Sequence, residues 1–195
     1  SIFIANEFFD SIAIKQFRKS KNLWFEKFVN LNNKKNFFFF EKKINIKNLE
    51  KKIKIKISKN QNFIEYSELG LNYLKKISRI VKKNTGGLLL IDYGYSGKIM
   101  KNTLQGISNH KFANILENIG NIDITHHLNF ELFKKFVIQI GGLESNLTSQ
   151  KEFLLKMGIK QRAEIISQNQ NFTKKADIYY RLNRLIDEKQ MGSLF

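Results

Sequence analysis

The chain has 195 residues, of which 42% are hydrophobic, and it carries a formal net charge of +17 at pH 7. This apolar content is enough for one domain with a core, which excludes a chain that is disordered throughout. The absence of cysteine excludes disulfide bonds, thiolate metal sites and a cysteine nucleophile.

The net charge by itself does not identify a partner. Only five of the 34 basic residues are arginine, and the lysines are interspersed with Asn, Ile and Phe in a chain that has no proline. A/T-rich codons encode these residues, so a biased genome accounts for the composition better than a dedicated nucleic-acid surface does. No apolar run approaches the ~20 residues of a membrane span, and no basic segment precedes an apolar block at the start. We therefore expect an untargeted protein of a bacterial cytoplasm, or of the mitochondrial matrix if the source is eukaryotic.

The first third of the chain contains strand patterns. Residues 2–5 form an apolar run bounded by polar residues 6–7, which predicts a buried strand. Because such a strand needs neighbours to pair with, we expect upstream sequence to belong to the same domain. Residues 22–29 and 36–42 are aromatic-rich runs on either side of a turn-prone segment, which predicts two antiparallel strands. Residues 52–58 alternate isoleucine with polar residues, a pattern typical of a half-buried strand.

Helical periodicity begins at residue 65. Apolar residues recur at spacings of three and four through residues 65–83, which predicts an amphipathic helix that ends at a left-handed glycine in 84–87. The apolar run 88–91 then predicts a strand that is buried on both faces of a sheet. Asp92 follows at its carboxyl end, where open α/β sheets place their ligands. Further helices are predicted over residues 130–140, 149–168 and 174–188, and residues 191–195 are compatible with the start of another strand.

Two polar segments follow the predicted strands of this α/β pattern. Residues 6–10 (Asn-Glu-Phe-Phe-Asp) place two carboxylates and an amide at the end of the first strand. Carboxylates pair bidentately with guanidinium groups, so this cluster is suited to a cationic or amine substrate. On these residues alone, ordinary strand-end polarity and helix capping are the simpler interpretation. Asp92, Tyr93 and Gly94 have the same two interpretations, namely a turn with a capping carboxylate or the lining of a substrate cleft.

Three segments carry a resemblance to a known family: 6–10, Glu-Tyr-Ser at 65–67, and Gly-Gly-Leu-Leu-Leu-Ile-Asp-Tyr-Gly at 86–94. Weaker matches follow the same order along the chain, at residues 15–17, 24–26, 103–105, His110, Gly120, 123–130, 150–154, 158–159, 162–163 and 191–195. Together they resemble the MidA family of class I S-adenosylmethionine-dependent methyltransferases. Each segment alone is weakly specific, but their order and spacing cover nearly the whole chain.

The resemblance implies that residues 1–195 are the C-terminal part of a doubly wound, Rossmann-like α/β methyltransferase sheet. It implies a β-rich insertion at about 20–62 and helical additions at about 130–190. It also implies S-adenosyl-L-methionine as cofactor and a protein arginine as methyl acceptor, which in the mitochondrial member belongs to a respiratory complex I subunit. We expect Glu7 and Asp10 to be catalytic and Asn6 to contact substrate or cofactor. Further lining is expected from Asp92, Tyr93 and His127.

The chain departs from the family pattern in two respects. Residues 11–13 (Ser-Ile-Ala) stand where the family has a proline, which relaxes the turn after the first motif. The glycine-rich turn that holds the carboxypropyl and adenosyl parts of the cofactor is absent from the chain, because Gly86-Gly87 precedes a strand and such a turn must follow one. The acidic residue that holds the ribose hydroxyls is absent with it. We therefore expect the 195-residue chain alone to bind little cofactor and to be inactive.

Two other functions remain open on the sequence: a non-catalytic assembly or binding protein with the same fold, and a basic nucleic-acid-associated domain. The aromatic run 37–40 fits core or hairpin packing better than a base-stacking platform. The histidines at 110, 126 and 127 have no recognisable metal-ligand spacing, so no metal site is predicted. His127 is expected to fix a loop by hydrogen bonding, with substrate contact or proton handling as the alternative.

Overall fold

The computed structural model describes residues 1–193 and divides them into two compact units, residues 1–145 and a second unit that begins at Asn146. The strands of the first unit are β1 (Ile2–Asn6), β2 (Lys15–Ser20), β3 (Leu23–Leu31), β4 (Phe37–Ile44), β5 (Phe63–Tyr66), β6 (Gly87–Ile91), β7 (Gly94–Tyr95), β8 (Gln105–Ser108), β9 (Lys111–Ala113), β10 (Asp123–Thr125) and β11 (Leu128–Asn129). Its helices are α1 (Ile46–Ile53), α2 (Glu68–Asn84) and α3 (Phe130–Phe136), the last continued by a π-helical turn over Val137–Gly141. The second unit contains the helices α4 (Gln150–Lys156), α5 (Ile159–Ser167) and α6 (Phe172–Ile186). None of the helices within residues 1–193 is long and apolar enough to cross a membrane.

An antiparallel sheet supplies much of the core of the first unit. Its strand order is β4-β3-β2-β5, and the strands predicted at 22–29 and 36–42 are confirmed as β3 and β4. Phe17 on β2 and Ile64 on β5 are fully buried, and they share one hydrophobic cluster with Leu74 of α2. Full burial of side chains of this size contributes roughly 1.5–3 kcal/mol each. This sheet and α2 therefore share one core.

The strand predicted at residues 2–5 is confirmed as β1, which runs parallel to β6 with Asn6 opposite Ile91. The expectation that it is buried is wrong for one face, because Ile2 is 82% and Ile4 70% exposed. Among the described strands β6 is the only one that pairs with β1, and no described element covers that face. Both strands therefore keep the parallel arrangement of an α/β sheet with one face of β1 open.

The strand predicted at residues 52–58 is wrong. Helix α1 extends to Ile53, and Lys54 ends it with a left-handed backbone at φ 60°. The carboxylate of Glu50 then accepts hydrogen bonds from the amides of Ile57 and Ser58, both at 2.9 Å, so this backbone bonds to a side chain instead of a strand ladder. The isoleucines are buried and the lysines exposed, as the alternation predicted, but they lie on a helix end and an irregular turn.

The helix predicted over residues 65–83 is α2, which begins three residues later. Glu65 lies in strand β5, and Ser67 caps the helix by accepting a hydrogen bond from the amide of Gly70 at 2.9 Å. The cap at the other end also differs from the prediction, because Thr85 adopts a positive φ of 53°. The strand predicted at 88–91 is confirmed as β6, although its side chains are only half-buried.

The predicted C-terminal helices are confirmed in position but not in length. The helix at 130–140 is α3 with its π-helical turn, and Gly142 ends it at φ 64°. The single helix predicted at 149–168 is wrong, because Gly158 at φ 79° separates α4 from α5. The helix predicted at 174–188 is α6, shifted by two residues. Residues 191–193 form a turn, and the rest of the strand predicted there lies outside the described residues.

Candidate functional site

The carboxyl ends of β1 and β6 lie side by side. The amide of Glu7 donates to the carbonyl oxygen of Ile91 at 2.9 Å, one step beyond the Asn6–Ile91 pair of the parallel ladder. The segment 6–10 and the residues that follow β6 therefore emerge from the same edge of the sheet, as the sequence predicted. This is the position where open α/β sheets bind their ligands.

Asp92 connects the two segments. It is fully buried, and its two carboxylate oxygens accept hydrogen bonds from the amides of Phe9 at 2.8 Å and Tyr93 at 2.9 Å. Burial raises the pKa of Asp92 to about 6, the amide donors oppose this shift, and the negative charge of Asp10 adds to it. Asp92 thus fixes the backbone of both loops, which fits the capping interpretation of this residue.

Glu7 is exposed at this edge, and Tyr93 beside it is half-buried. Glu7 is solvent-exposed at φ 44°, a left-handed conformation that costs a non-glycine residue roughly 1–2 kcal/mol. The Tyr93 hydroxyl donates to the Glu7 carboxylate, and the pKa of Tyr93 is raised by burial first and by the Glu7 charge second. Asn6 is also exposed at this edge. The Glu7 carboxylate and the Tyr93 hydroxyl are thus paired at this edge.

Asp10 lies deeper in the same loop. Its side chain is buried to 6% exposure, and within residues 1–193 its Oδ1 atom has no hydrogen-bond partner. Its main-chain carbonyl accepts from the amide of His126 at 3.0 Å, which ties the loop to the segment before β11. A buried carboxylate oxygen without a partner is costly, so this atom is suited to accept a hydrogen bond from a ligand.

The two adjacent histidines point to opposite sides of the chain. His127 is exposed, and the bonds described for it are made by its backbone, whose amide donates to Thr103 Oγ1 at 2.9 Å. His126 is buried to 5% exposure, and among the described residues neither ring nitrogen makes a hydrogen bond of normal geometry. Burial lowers the pKa of His126, although Glu65 and nearby backbone carbonyls favour its charged form. His127 was expected to fix a loop by hydrogen bonding, and the bonds described for it come from its backbone. His126 is the residue whose side chain points inward.

A signal for His126 was present in the sequence. Residues 126 and 128 lie on the same side of an extended chain, and Leu128 is an apolar residue that the structure buries completely. The pairing of Leu128 with Gly94 places β11 beside β7. Residue 94 must be glycine for this approach, because a Cβ atom there would lie 2.4 Å from the ring of Phe130. The close approach of these short strands, which needs glycine, brings His126 inward.

A buried polar group on β2 and β5 was not predicted as part of the site. Gln16 and Glu65 are cross-strand partners, and Gln16 Nε2 donates to Glu65 Oε2 at 2.6 Å. The hydroxyl of Thr103 also donates to Glu65, and Gln16 Oε1 has no partner within the described part of the chain. Glu65 and Thr103 lie in segments 65–67 and 103–105, so the family resemblance was the available signal.

The residues at this edge fit a cationic ligand better than an adenosyl group. The buried Oδ1 of Asp10 and the carboxylate of Glu7 are acceptors that suit a guanidinium group. Within residues 1–193 no glycine-rich turn leads from a strand into a helix, and Gly86-Gly87 precedes β6. The described residues at this edge therefore include acceptors for a cation, and no glycine-rich turn for an adenosyl group is found among them. In the part of the chain that is described, no group of three or more His, Asp or Glu side chains is arranged to hold a metal ion.

Known proteins resemble this chain in sequence and in fold. A family model described as "Putative S-adenosyl-L-methionine-dependent methyltransferase" matches residues 1–148. A relative from Danio rerio, named protein arginine methyltransferase NDUFAF7, mitochondrial, is 28% identical over an alignment that covers the whole chain and 46% of the relative. The homologue of that protein from Caenorhabditis elegans is 32% identical over 83% of the chain and 38% of its own length. The chain thus spans less than half the length of these relatives.

Two crystal structures of COG1565 superfamily proteins from Burkholderia thailandensis share the fold. One, bound to S-adenosyl-homocysteine, superposes with a TM-score of 0.75 over the whole chain and 51% of its own length. The other gives a TM-score of 0.77 and 53% coverage. Both are 20% identical to the chain, so this likeness shows the fold alone. It confirms the expected α/β methyltransferase fold.

Proposed function

This chain belongs to the S-adenosyl-L-methionine-dependent methyltransferase family, and on that premise we propose that it supplies the acceptor side of a protein arginine methyltransferase site. The relatives from fish and nematode carry the name protein arginine methyltransferase. The observation that carries the proposal is the buried Oδ1 of Asp10, which has no partner among the described residues and lies in the same segment as the exposed Glu7, after the carboxyl end of β1.

Two carboxylates of different exposure suit the recognition of a guanidinium group. Asp10 offers an oxygen that is already desolvated, so a charge-assisted hydrogen bond formed there is stronger than one formed in water. Glu7 lies at the rim, and Tyr93 donates to its carboxylate and limits its rotation. We assign to these residues the orientation of one guanidinium nitrogen for attack. Asn6 at the same rim is assigned a contact to substrate or cofactor.

The cofactor supplies, when bound, an electrophilic methyl group on a sulfonium sulfur. A C–N bond then forms as the C–S bond breaks, and the guanidinium nitrogen must lose one proton. Glu7 is the residue to which we assign that proton, because it is exposed and can pass it to solvent. Asp92 acts as a positioning residue, since both of its oxygens hold loop backbone. His127 remains a proposed lining residue on the solvent side.

The partner and the compartment follow as narrower proposals. We propose a protein substrate, with a respiratory complex I subunit as the specific candidate that the family resemblance implies. The relatives are named as mitochondrial proteins. We propose the mitochondrial matrix for a eukaryotic source and the cytoplasm for a bacterial one.

Methyl transfer and cofactor binding should be measured separately on the full-length protein. The assay follows transfer of a radiolabelled methyl group to an arginine-containing protein substrate, and titration calorimetry follows S-adenosyl-L-methionine binding. Asp10→Asn and Glu7→Gln should lower the transfer rate by about 10²-fold or more while leaving cofactor affinity within about threefold. The exposed Glu144→Gln should leave both unchanged.

Three outcomes would contradict the proposal. Cofactor binding without turnover on any arginine substrate would favour the assembly or binding protein. Absence of cofactor binding by the full-length protein would exclude methyl transfer. Full activity of both carboxylate variants would remove Asp10 and Glu7 from the site.

A further inference from the structure

The hairpin of β3 and β4 extends beyond the sheet that anchors it. Strand β2 pairs with β3 only over Leu23–Glu26, whereas β3 pairs with β4 as far as Leu31 opposite Phe37. The pairs from Lys27–Glu41 to Leu31–Phe37 therefore form a two-stranded ribbon, which we call the free ribbon (residues 27–31 and 37–41). Two-stranded ribbons are marginally stable in water, so a ribbon of this length is expected to have another role.

The free ribbon exposes large apolar side chains on both faces. Phe37, Phe38 and Phe39 are 42%, 40% and 39% exposed, and Val29 is 51% exposed. Neighbouring phenylalanines along a strand point to opposite faces, so neither face is polar. The expectation that the aromatic run packs in a core or within the hairpin is met in part, because the Phe40 ring stacks on Phe28 with centroids 5.5 Å apart and its centroid lies 6.3 Å from that of Phe38.

The charges of the hairpin are unbalanced. Its two acidic residues are engaged by β2, where Lys15 contacts Glu26 at 3.1 Å and Arg18 contacts Glu41 at 2.6 Å. Within residues 1–193 no carboxylate lies within ion-pair distance of the lysines at the turn and at the base of β4, which are Lys34, Lys35, Lys42 and Lys43. The turn that joins the two strands of the free ribbon and the end of β4 next to it thus present uncompensated positive charge close to apolar surface, which an acidic and apolar partner would complement.

Strand β4 also has an open backbone edge. The sheet order places it last, and among the described strands only β3 pairs with it. An edge strand offers a row of unpaired N–H and C=O groups to which an extended segment can add as a further strand. Lysines along the edge are also a common device against self-pairing of such strands.

We infer that the free ribbon binds an extended, acidic and apolar segment of another protein, which adds to β4 as an additional strand. A membrane surface would contact one face and leave the phenylalanines of the other face in water. A nucleobase would compete with lysines that already lie over the rings, since Lys27 Nζ is 4.8 Å from the Phe39 centroid and Lys42 Nζ is 5.3 Å from that of Phe40. A second copy of this chain would carry the same positive charge. An acidic segment gains from the charge, the apolar faces and the backbone edge together.

Defined peptides test this inference on the full-length protein. The probe is a fluorescein-labelled nine-residue peptide in which Glu alternates with Val. One control has Lys in place of Glu, and a second has the Glu/Val sequence with alternate backbone nitrogens methylated, which removes the donors needed for strand addition. Fluorescence anisotropy should show binding of the unmethylated Glu/Val peptide and no binding of either control. Hydrogen exchange should slow at amides of β4 when that peptide is bound.

Variants locate the binding surface. Lys43 is exposed and makes none of the ring contacts described above. The variant Lys43→Glu should therefore weaken peptide binding about fivefold to tenfold by charge reversal. The matched control Lys174→Glu changes the net charge equally at an exposed residue of α6 and should leave binding unchanged. Phe38→Ser should weaken binding, with folding checked by circular dichroism. S-adenosyl-L-methionine binding should be unaffected by Lys43→Glu, so this test is independent of the proposed methyl transfer.

Four results would overturn the inference. The first is equal binding of the methylated or the Lys/Val peptide, and the second is an unchanged peptide affinity in Lys43→Glu. The third is tighter binding of a 15-residue oligothymidylate or of anionic phosphatidylserine vesicles at the same ionic strength. The fourth is a dimer in light scattering that Lys43→Glu abolishes.

Discussion

Asp92 should make the stability of the protein depend on pH in a direction opposite to that of most carboxylates. Burial raises its pKa in the folded state to about 6, against an ordinary value of 3.8. The folded state therefore binds this proton more tightly than the unfolded state does. The resulting stabilisation is complete below the unfolded pKa and is lost as the pH rises through the folded pKa. Protonation of Asp92 thus stabilises the fold on mild acidification.

The size of the effect follows from the two pKa values. Linkage gives a gain of about 1.3 kcal/mol between pH 7 and pH 5, out of about 3 kcal/mol for the full titration. His126 opposes this gain, because burial lowers its pKa and the unfolded state takes up that proton first as the pH falls. The net pH dependence of the wild type therefore contains both contributions. A variant that removes only the Asp92 titration separates them.

Urea denaturation of wild type and Asp92→Asn at pH 5, 6 and 7 measures the Asp92 contribution. Asparagine cannot titrate, and its amide leaves one of the loop N–H groups without an acceptor, which costs about 1–3 kcal/mol at every pH. The stability difference should change by about 1.3 kcal/mol between pH 7 and pH 5, in favour of the wild type at pH 5. The exposed Asp123→Asn should run parallel to the wild type. Parallel curves for Asp92→Asn would refute the reasoning.

Three further substitutions test the local packing by urea denaturation. Gly94→Ala should cost about 2–3 kcal/mol or more because the new Cβ would lie 2.4 Å from the Phe130 ring, whereas Gly97→Ala, with its nearest atom at 3.8 Å, should cost less than about 1 kcal/mol; equal effects would argue against the close β7–β11 approach. Thr103→Val removes a hydroxyl that donates to a buried carboxylate and accepts a backbone amide, and should cost about 2 kcal/mol; a loss below about 0.5 kcal/mol would contradict that network. Ser67→Ala removes the cap of α2 and should cost about 1 kcal/mol, with no change expected if the cap is not formed.

Periodicity identified elements whose patterns extend over several turns or strand residues. The helix α2 and strands β3, β4 and β6 were predicted in place. The strand prediction for residues 52–58 was wrong because isoleucines two residues apart also fit a helix end followed by a turn. A competing pattern was present, since apolar residues at 46, 49 and 53 follow the helical spacing of three and four and Asn45 is a good cap. The hydrogen bonds from the amides of Ile57 and Ser58 to the Glu50 carboxylate favour the helix end and turn over the strand.

The short strands β7 to β11 could not be predicted, because segments of two to four residues carry no period. Their pairing depends on long-range contacts such as Leu128 with Gly94. The site was predictable only where it follows elements long enough to show a period. Segments 6–10 and 92–93 follow longer strands, and parallel strands bring their carboxyl ends to one edge. The burial of Gln16 and Glu65 depends on how a second sheet packs, so it appears only in the folded chain. The sequence signal for His126 was limited to its spacing of two from the apolar Leu128.

The buried carboxylates at this edge couple ligand binding to protonation. The charge of Asp10 is one cause of the raised pKa of Asp92, so a cation bound at Asp10 would offset that charge and lower the pKa of Asp92. By reciprocity, protonation of Asp92 must weaken the binding of that cation. Affinity for an arginine substrate should therefore fall on acidification through pH 6, over the same range in which Asp92 stabilises the fold. Acidification through the pKa of Asp92 should thus stabilise the fold and weaken the proposed acceptor binding, so we predict tighter binding of an arginine substrate at pH 7 than at pH 5, measured by titration calorimetry.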